Sequence, residues 1–183
     1  TSDLQTAFLI AAEAFGLDRN AQTTGAVLRA SLASSRLVGF AEAGAPVTDV
    51  GGSRDGSVVV AGTEDGTVKA WGPNLEGGVE LFALDGAVTD VQVSSTGTTV
   101  VATDGESAMA WIGAARPMLP MAPVRSEVVS LRMSTGEPVG DVGVSRDGDQ
   151  AFIQSASFSE DRHLDLVDLP SGTTVASHPR GSG

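Results

Sequence analysis

The chain has 183 residues and a mass of 18.5 kDa, 41% apolar and 19% charged, which is room for one ordinary domain with a core and argues against disorder. Acidic residues outnumber basic ones 23 to 11, and a net charge of −12 repels phosphate, so nucleic-acid binding is not expected. The absence of cysteine excludes disulfides, thiol chemistry and cysteine-held zinc; no apolar run nears the ~18–20 residues that span a bilayer, and no signal-peptide pattern opens the sequence.

Residues 1–36 read as a helical hairpin. In DLQTAFLIAAEAFGL, Leu4, Phe8, Ala11 and Phe15 fall on one helical face, Ser2 or Asp3 can cap the start, and Gly16 stands where a left-handed terminator would sit. A second helix is expected from Asn20, with Val27, Leu28 and Leu32 as its apolar edge and Gly25 weakening its interior. From residue 37 to residue 183 the texture changes. Short Val-rich runs alternate with Asp-Gly, Thr-Gly and Gly-Gly turns, the pattern of short strands joined tightly.

This second region repeats itself. Val47-Thr48-Asp49-Val50 returns as Val88-Thr89-Asp90-Val91 and as Val139-Gly140-Asp141-Val142, and a turn glycine follows each aspartate at the same distance: Gly56, Gly97 and Gly148. Asp49 and Asp90 are 41 residues apart, Trp71 and Trp111 are 40 apart, and the longer step to Asp141 is explained by an insertion carrying Pro117, Pro120 and Pro123. A period of ~40–45 residues with four short strands per unit predicts β-propeller blades. The units lie near 47–84, 88–133 and 139–178. In the first, strands are predicted at Val47 to Gly52, Ser57 to Gly62, Thr67 to Trp71 and Val79 to Leu84. The third unit has an insertion near Ser157 to Asp161 and places Val167 where the others have tryptophan. The fold class is therefore mainly β, a partial propeller of about three blades after a helical hairpin.

The units resemble WD-repeats, over roughly residues 37–178. In that family an Asp–His–Ser/Thr–Trp set locks each blade, and Asp65 and Trp71 match two of its members. The histidine is missing, since Ala43-Gly44-Ala45-Pro46 fills that stretch, and the hydroxyl position is Ala61. The resemblance thus implies blades held by packing and ladder bonds, with no inherited recognition site. The helical segment leading into the first repeat is similar to the junction before the propeller in large bacterial signalling proteins, where a STAND-type ATPase module precedes a WD-repeat array. One lysine against ten arginines agrees with a GC-rich bacterial source.

Three blades do not close a propeller, which takes ~4–8. Arg36 to Ala41 is read as one additional strand, and the chain either continues in a longer protein or completes its ring with other copies.

Chemistry has little to stand on. There is no phosphate-binding G-x-x-x-x-G-K-[ST] loop, and the single lysine, Lys69, is mid-strand. His163 and His178 read as surface residues, no G-x-S-x-G elbow occurs, and Glu64-Asp65, Asp147-Gly148-Asp149 and Glu160-Asp161 are turns rather than calcium loops. Trp71 and Trp111 read as blade packing. Met109, Met118, Met121 and Met133, with Arg116, Arg125 and Arg132, gather around the proline-rich insertion as a covered strand with solvated loop charges. No catalytic, metal or cofactor residue is assigned. The residues singled out are the repeat positions Asp49, Asp65, Trp71, Asp90, Trp111 and Asp141. The expected function is a non-enzymatic, cytoplasmic protein-interaction or sensor module of a larger bacterial signalling protein. Its partners would be another protein or other domains of the parent, with no nucleic acid and no membrane. A self-assembling structural domain and a propeller lectin or enzyme are the alternatives.

Overall fold

A computed structural model describes residues 39–73, 75, 78–113, 127–133, 135–156 and 162–180, together with 10, 13–14, 16–17 and 22–24. The chain divides into two compact units, Thr1–Phe40 and Ala41–Gly183. In the first unit residues 10, 13–14, 16–17 and 22–24 are helical. The predicted apolar positions Leu4, Phe8, Ala11, Phe15, Val27, Leu28 and Leu32, and the caps Ser2 and Asp3, lie outside the described residues. Gly16 is not a terminator, because the helix runs through it to Leu17. A helix tolerates one glycine for about 1 kcal/mol against alanine, so a local stop signal need not stop it.

The second unit holds twelve strands in three four-stranded antiparallel sheets. The first sheet is β1 (Val47–Gly52), β2 (Val59–Thr63), β3 (Thr67–Trp71) and β4 (Val79–Ala83), in that order. The second is β5 (Asp90–Val93), β6 (Thr99–Thr103), β7 (Ala108–Ile112) and β8 (Glu127–Leu131), and the third is β9 (Val139–Val144), β10 (Gln150–Ser155), β11 (Arg162–Asp168) and β12 (Thr173–Arg180). Each sheet is an up-and-down meander, as expected of a propeller blade. The strand expected at Arg36 to Ala41 is not formed at Gly39, Phe40 and Ala41, and its first half lies outside the described residues.

The blades stack face to face and converge at their first strands: β1 packs on β5, β5 on β9, and β6 on β9. Strand alternation sends successive side chains to opposite faces, so the middle sheet feeds two cores. Val91, Val100, Ala102 and Trp111 meet Val58, Val60, Val68, Ala70 and Phe82 of the first sheet. Val101, Ala108, Ala110 and Leu131 meet Val142, Ala151, Ile153 and Val167 of the third. A slip of one residue in β6 would exchange Val100 with Val101 and put both in the wrong core.

Candidate interaction surfaces

The repeated aspartates join blades rather than lock them. The Val91 N–H donates to Asp49 Oδ2 at 2.8 Å, and the Val142 N–H donates to Asp90 Oδ2 at 3.3 Å. Each aspartate on a first strand thus reaches the first strand of the following blade, more than forty residues on. Asp141 is the third member of the series; it is exposed, and no N–H meets it among the described residues.

The turn after each first strand repeats as closely. The hydroxyl oxygens of Ser53, Ser94 and Ser145 accept the N–H groups of Val58, Thr99 and Gln150 at 3.0, 3.1 and 3.0 Å. The glycines that complete these turns have positive φ, +70° at Gly56, +70° at Gly97 and +89° at Gly148. Two of them also touch the blade before. A Cβ on Gly97 would lie 2.7 Å from Val58 Cγ2, and one on Gly148 would lie 2.5 Å from Thr99 Oγ1, whereas one on Gly56 would have nothing within 4 Å. Thr99 also donates its hydroxyl to the Gly148 carbonyl at 2.9 Å, and Ser95 donates its own to the Arg146 carbonyl at 2.6 Å.

Carboxylates in these turns are held ionised by their neighbours. The hydroxyls of Ser57 and Ser53 both donate to Asp55 at 2.7 Å and lower its pKa from 3.8 to about 2. The Ser145 hydroxyl lowers Asp147 and the Thr63 hydroxyl lowers Asp65. Burial pushes Asp104 up, but N–H groups of Ser107, Glu106 and Gly86 outweigh it and hold the carboxyl low.

Asp65 is engaged in its own hairpin: the Thr63 hydroxyl lies 2.6 Å from its Oδ1, and the Thr67 N–H donates to the same atom at 3.2 Å. The hydroxyl in this turn is that of Thr63, two residues after Ala61. Trp71 and Trp111 occupy equivalent register positions, opposite Val59 and Val100, and Val167 takes the same place opposite Ala151. Trp111 is wedged between the first two sheets. Trp71 points the other way from that core and is buried within its own blade, with the Gly78 backbone against its Nε1 and the Lys69 ammonium 5.7 Å from its ring.

The register identifies what each end of the array lacks. On the leading face of the first blade, Val47 and Val50 are 51% and 64% exposed, while their counterparts Val88, Val91, Val139 and Val142 are all under 9%. On the trailing face of the third blade, Phe152 stands opposite Leu166 as Val60 stands opposite Ala70 and Val101 opposite Ala110. Leu164 likewise matches Val68 and Ala108. Phe152 and Leu164 are 41% and 39% exposed, whereas all four of Val60, Val101, Val68 and Ala108 are fully buried. Phe152 and Leu164 therefore leave an apolar patch exposed on the third blade, while Val47 and Val50 are the exposed part of a first-blade face on which Ala61 and Trp71 are buried.

A separate cleft of about 340 Å³ opens between the second and third blades, with Leu131, Met133 and Val139 as its floor and Glu106, Arg132 and Glu137 at its rim. Met109 packs half-buried on the first core, and Met133 is buried. Met118, Met121, Arg116 and Arg125 lie outside the described residues, as does the proline-rich insertion between β7 and β8. The histidines are not brought together: His163 pairs with Pro179 and His178 with Leu164, so their side chains leave opposite faces of the sheet. The Ser155 hydroxyl accepts the His163 N–H at 3.1 Å, while His163 Nδ1 is buried with no partner among the described residues. Among the described residues no group of three or more His, Asp or Glu could hold a metal ion, and no helix is long and apolar enough to cross a membrane.

No protein-family model and no curated protein matches the chain. Among solved structures it is similar to the computationally designed Ika8 protein, at a TM-score of 0.53 and 19% identity, covering 74% of this chain and 37% of that one. It is also similar to Kuenenia stuttgartiensis hydrazine synthase, at a TM-score of 0.53 and 15% identity, covering 71% of this chain and 36% of that one. At such identities the likeness is one of fold alone. The chain spans little more than a third of the length of these structures, and its fold is a propeller-like array of three blades.

Proposed function

We propose that this chain is a non-catalytic protein-interaction module, and that its partner is polypeptide seated against the ends of the blade array. One observation carries the reading: Val47 and Val50 on the first blade and Phe152 and Leu164 on the third stand exposed at register positions whose counterparts between blades are buried. Apolar faces of this kind, with an unmet Asp141 beside one of them, fit protein surface better than they fit a small solute. In the fuller form of the reading the blades are of the WD type, and the chain is the sensor end of a cytoplasmic bacterial signalling protein that also carries a STAND-type ATPase. The support for that form is the sequence texture of residues 1–46 and the repeat spacing.

The rival class is a lectin or enzyme, and it predicts a small ligand. A ligand that binds only the folded chain raises its stability by about 2.7 kcal/mol at a hundred times Kd. Thermal unfolding against divalent metals, mono- and oligosaccharides and nucleotides should leave the melting temperature unchanged. A saturable rise with any one of them would overturn the interaction reading.

A further inference from the structure

The outermost strands of the three sheets are β4, β8 and β12, and among the described residues no strand pairs with their outer edges. An open edge presents a row of unpaired N–H and C=O groups to any other chain, and proteins blunt such edges with bulges, prolines and charges. Two of the three are blunted. The β3–β4 ladder breaks register at Leu81, the β11–β12 ladder breaks it at Val175, and β12 also carries Pro179. The β7–β8 ladder runs unbroken from Ala108 opposite Leu131 to Ile112 opposite Glu127, and β8 holds neither proline nor lysine. Its residues Glu127, Val128 and Ser130 are exposed.

We infer that β8 is a docking edge for an extended segment of a partner polypeptide, which adds to the middle blade as a fifth strand. The inference goes beyond the interaction reading, with which it shares a polypeptide partner, because it uses neither the exposed first-blade valines nor the patch of Phe152 and Leu164. In strand addition the main chain supplies affinity, and side-chain sites beside the edge supply preference. Val128, 43% exposed, offers a cross-strand neighbour to a β-branched residue of the added strand. The cleft between the second and third blades opens where β8 ends, with Ser130 and Leu131 on its wall, and gives room to a further side chain. Carboxylates stand at both ends of the edge. Glu127 is the first residue of β8, and Glu106 and Glu137 flank the cleft beyond its last, where the Thr135 hydroxyl donates to Glu137 Oε2 at 3.3 Å. Arg132 offsets one of these three charges, and the chain as a whole carries −12. The complement is therefore a proline-free, β-prone stretch with a basic residue at each end.

The test titrates the full chain with a blocked peptide that carries lysine at each end of an alternating valine–threonine stretch, and follows amide hydrogen exchange. Three control peptides carry glutamate in place of lysine, proline at the centre, or N-methyl groups throughout the central backbone. The lysine peptide should bind saturably and slow exchange in residues 127–131. Each control should bind at least about tenfold more weakly, as expected when charge pairs or two main-chain hydrogen bonds are lost. Glu106→Gln together with Glu137→Gln changes two side chains outside the core and should weaken binding of the lysine peptide without moving the melting temperature. No saturable binding, an N-methylated peptide that binds as tightly as its parent, or a double variant that binds unchanged would each overturn the inference. So would protection centred on β4 or β12. Protection at Val47 and Val50 or at Phe152 and Leu164, in place of β8, would overturn it and leave the interaction reading standing.

Discussion

Alanine at Gly97 and alanine at Gly56 add the same methyl group to the same backbone conformation, since φ is +70° at both. Holding a residue with a Cβ in the left-handed region costs about 1–2 kcal/mol, and both variants carry that cost. They differ in what the methyl meets. At Gly56 there is nothing within 4 Å, while at Gly97 it lies 2.7 Å from Val58 Cγ2 and 3.1 Å from Val58 Cβ. Val58 is fully buried, its backbone N–H is fixed to Ser53, and a β-branched side chain has one strongly favoured rotamer, so it has little room to yield. Overpacking of this kind adds about 1–3 kcal/mol. Gly97→Ala should therefore cost about 2–5 kcal/mol and Gly56→Ala about 1–2. Urea unfolding followed by the fluorescence of Trp71 and Trp111 gives both values. Equal losses would refute the claim that the turn glycine is a contact between blades.

Trp111→Ala should destabilise by about 3–5 kcal/mol, as expected of an aromatic wedge lost from a core, and a near-silent change in denaturation would mean the first junction is wrongly described. Asp49→Ala removes a charged acceptor from the Val91 N–H and should cost about 1.5–3 kcal/mol, whereas Asp141→Ala should stay within about 0.5 kcal/mol; paired unfolding curves compare them. The turn carboxylates Asp55, Asp65, Asp104 and Asp147 have folded pKa values below their unfolded ones, so their contribution is present above the ordinary carboxylate range and lost as pH falls. For Asp55 the loss runs from 3.8 down to about 2, and Asp55→Asn should flatten the fall of melting temperature through that window.

The blades were legible in the sequence because their signal is periodic. Val47–Gly52 and Thr67–Trp71 form as strands with the predicted ends, and the neighbouring strands are displaced by one or two residues at most. Turn chemistry marked the boundaries, and Gly56, Gly97 and Gly148 sit where the repeat placed them. What repetition could not reveal was the use of each repeated residue. Asp49 was found as a recurring letter, but its partner is a backbone N–H 42 residues on, which only the stacking of two sheets brings near. Nor could composition distinguish Val60, fully buried, from Phe152, its open counterpart, because burial there depends on whether another blade follows. A signal did exist in the register: the alternation that buries Val101 and Ala108 also selects Phe152 and Leu164. Gly16 misled for the opposite reason, since a local rule was applied where helical continuation prevailed.

Among the described residues the middle sheet contributes to both buried cores, one shared with the first blade and one with the third. In a linear array each unit owes much of its stability to its neighbours, so protection is not shared evenly along the chain. Amide hydrogens of β6 and β7 should be the last to exchange with solvent, and those of β1 and β12 among the first. The molecule would then open from its flanks inward, with the central blade as the residue of order from which refolding restarts.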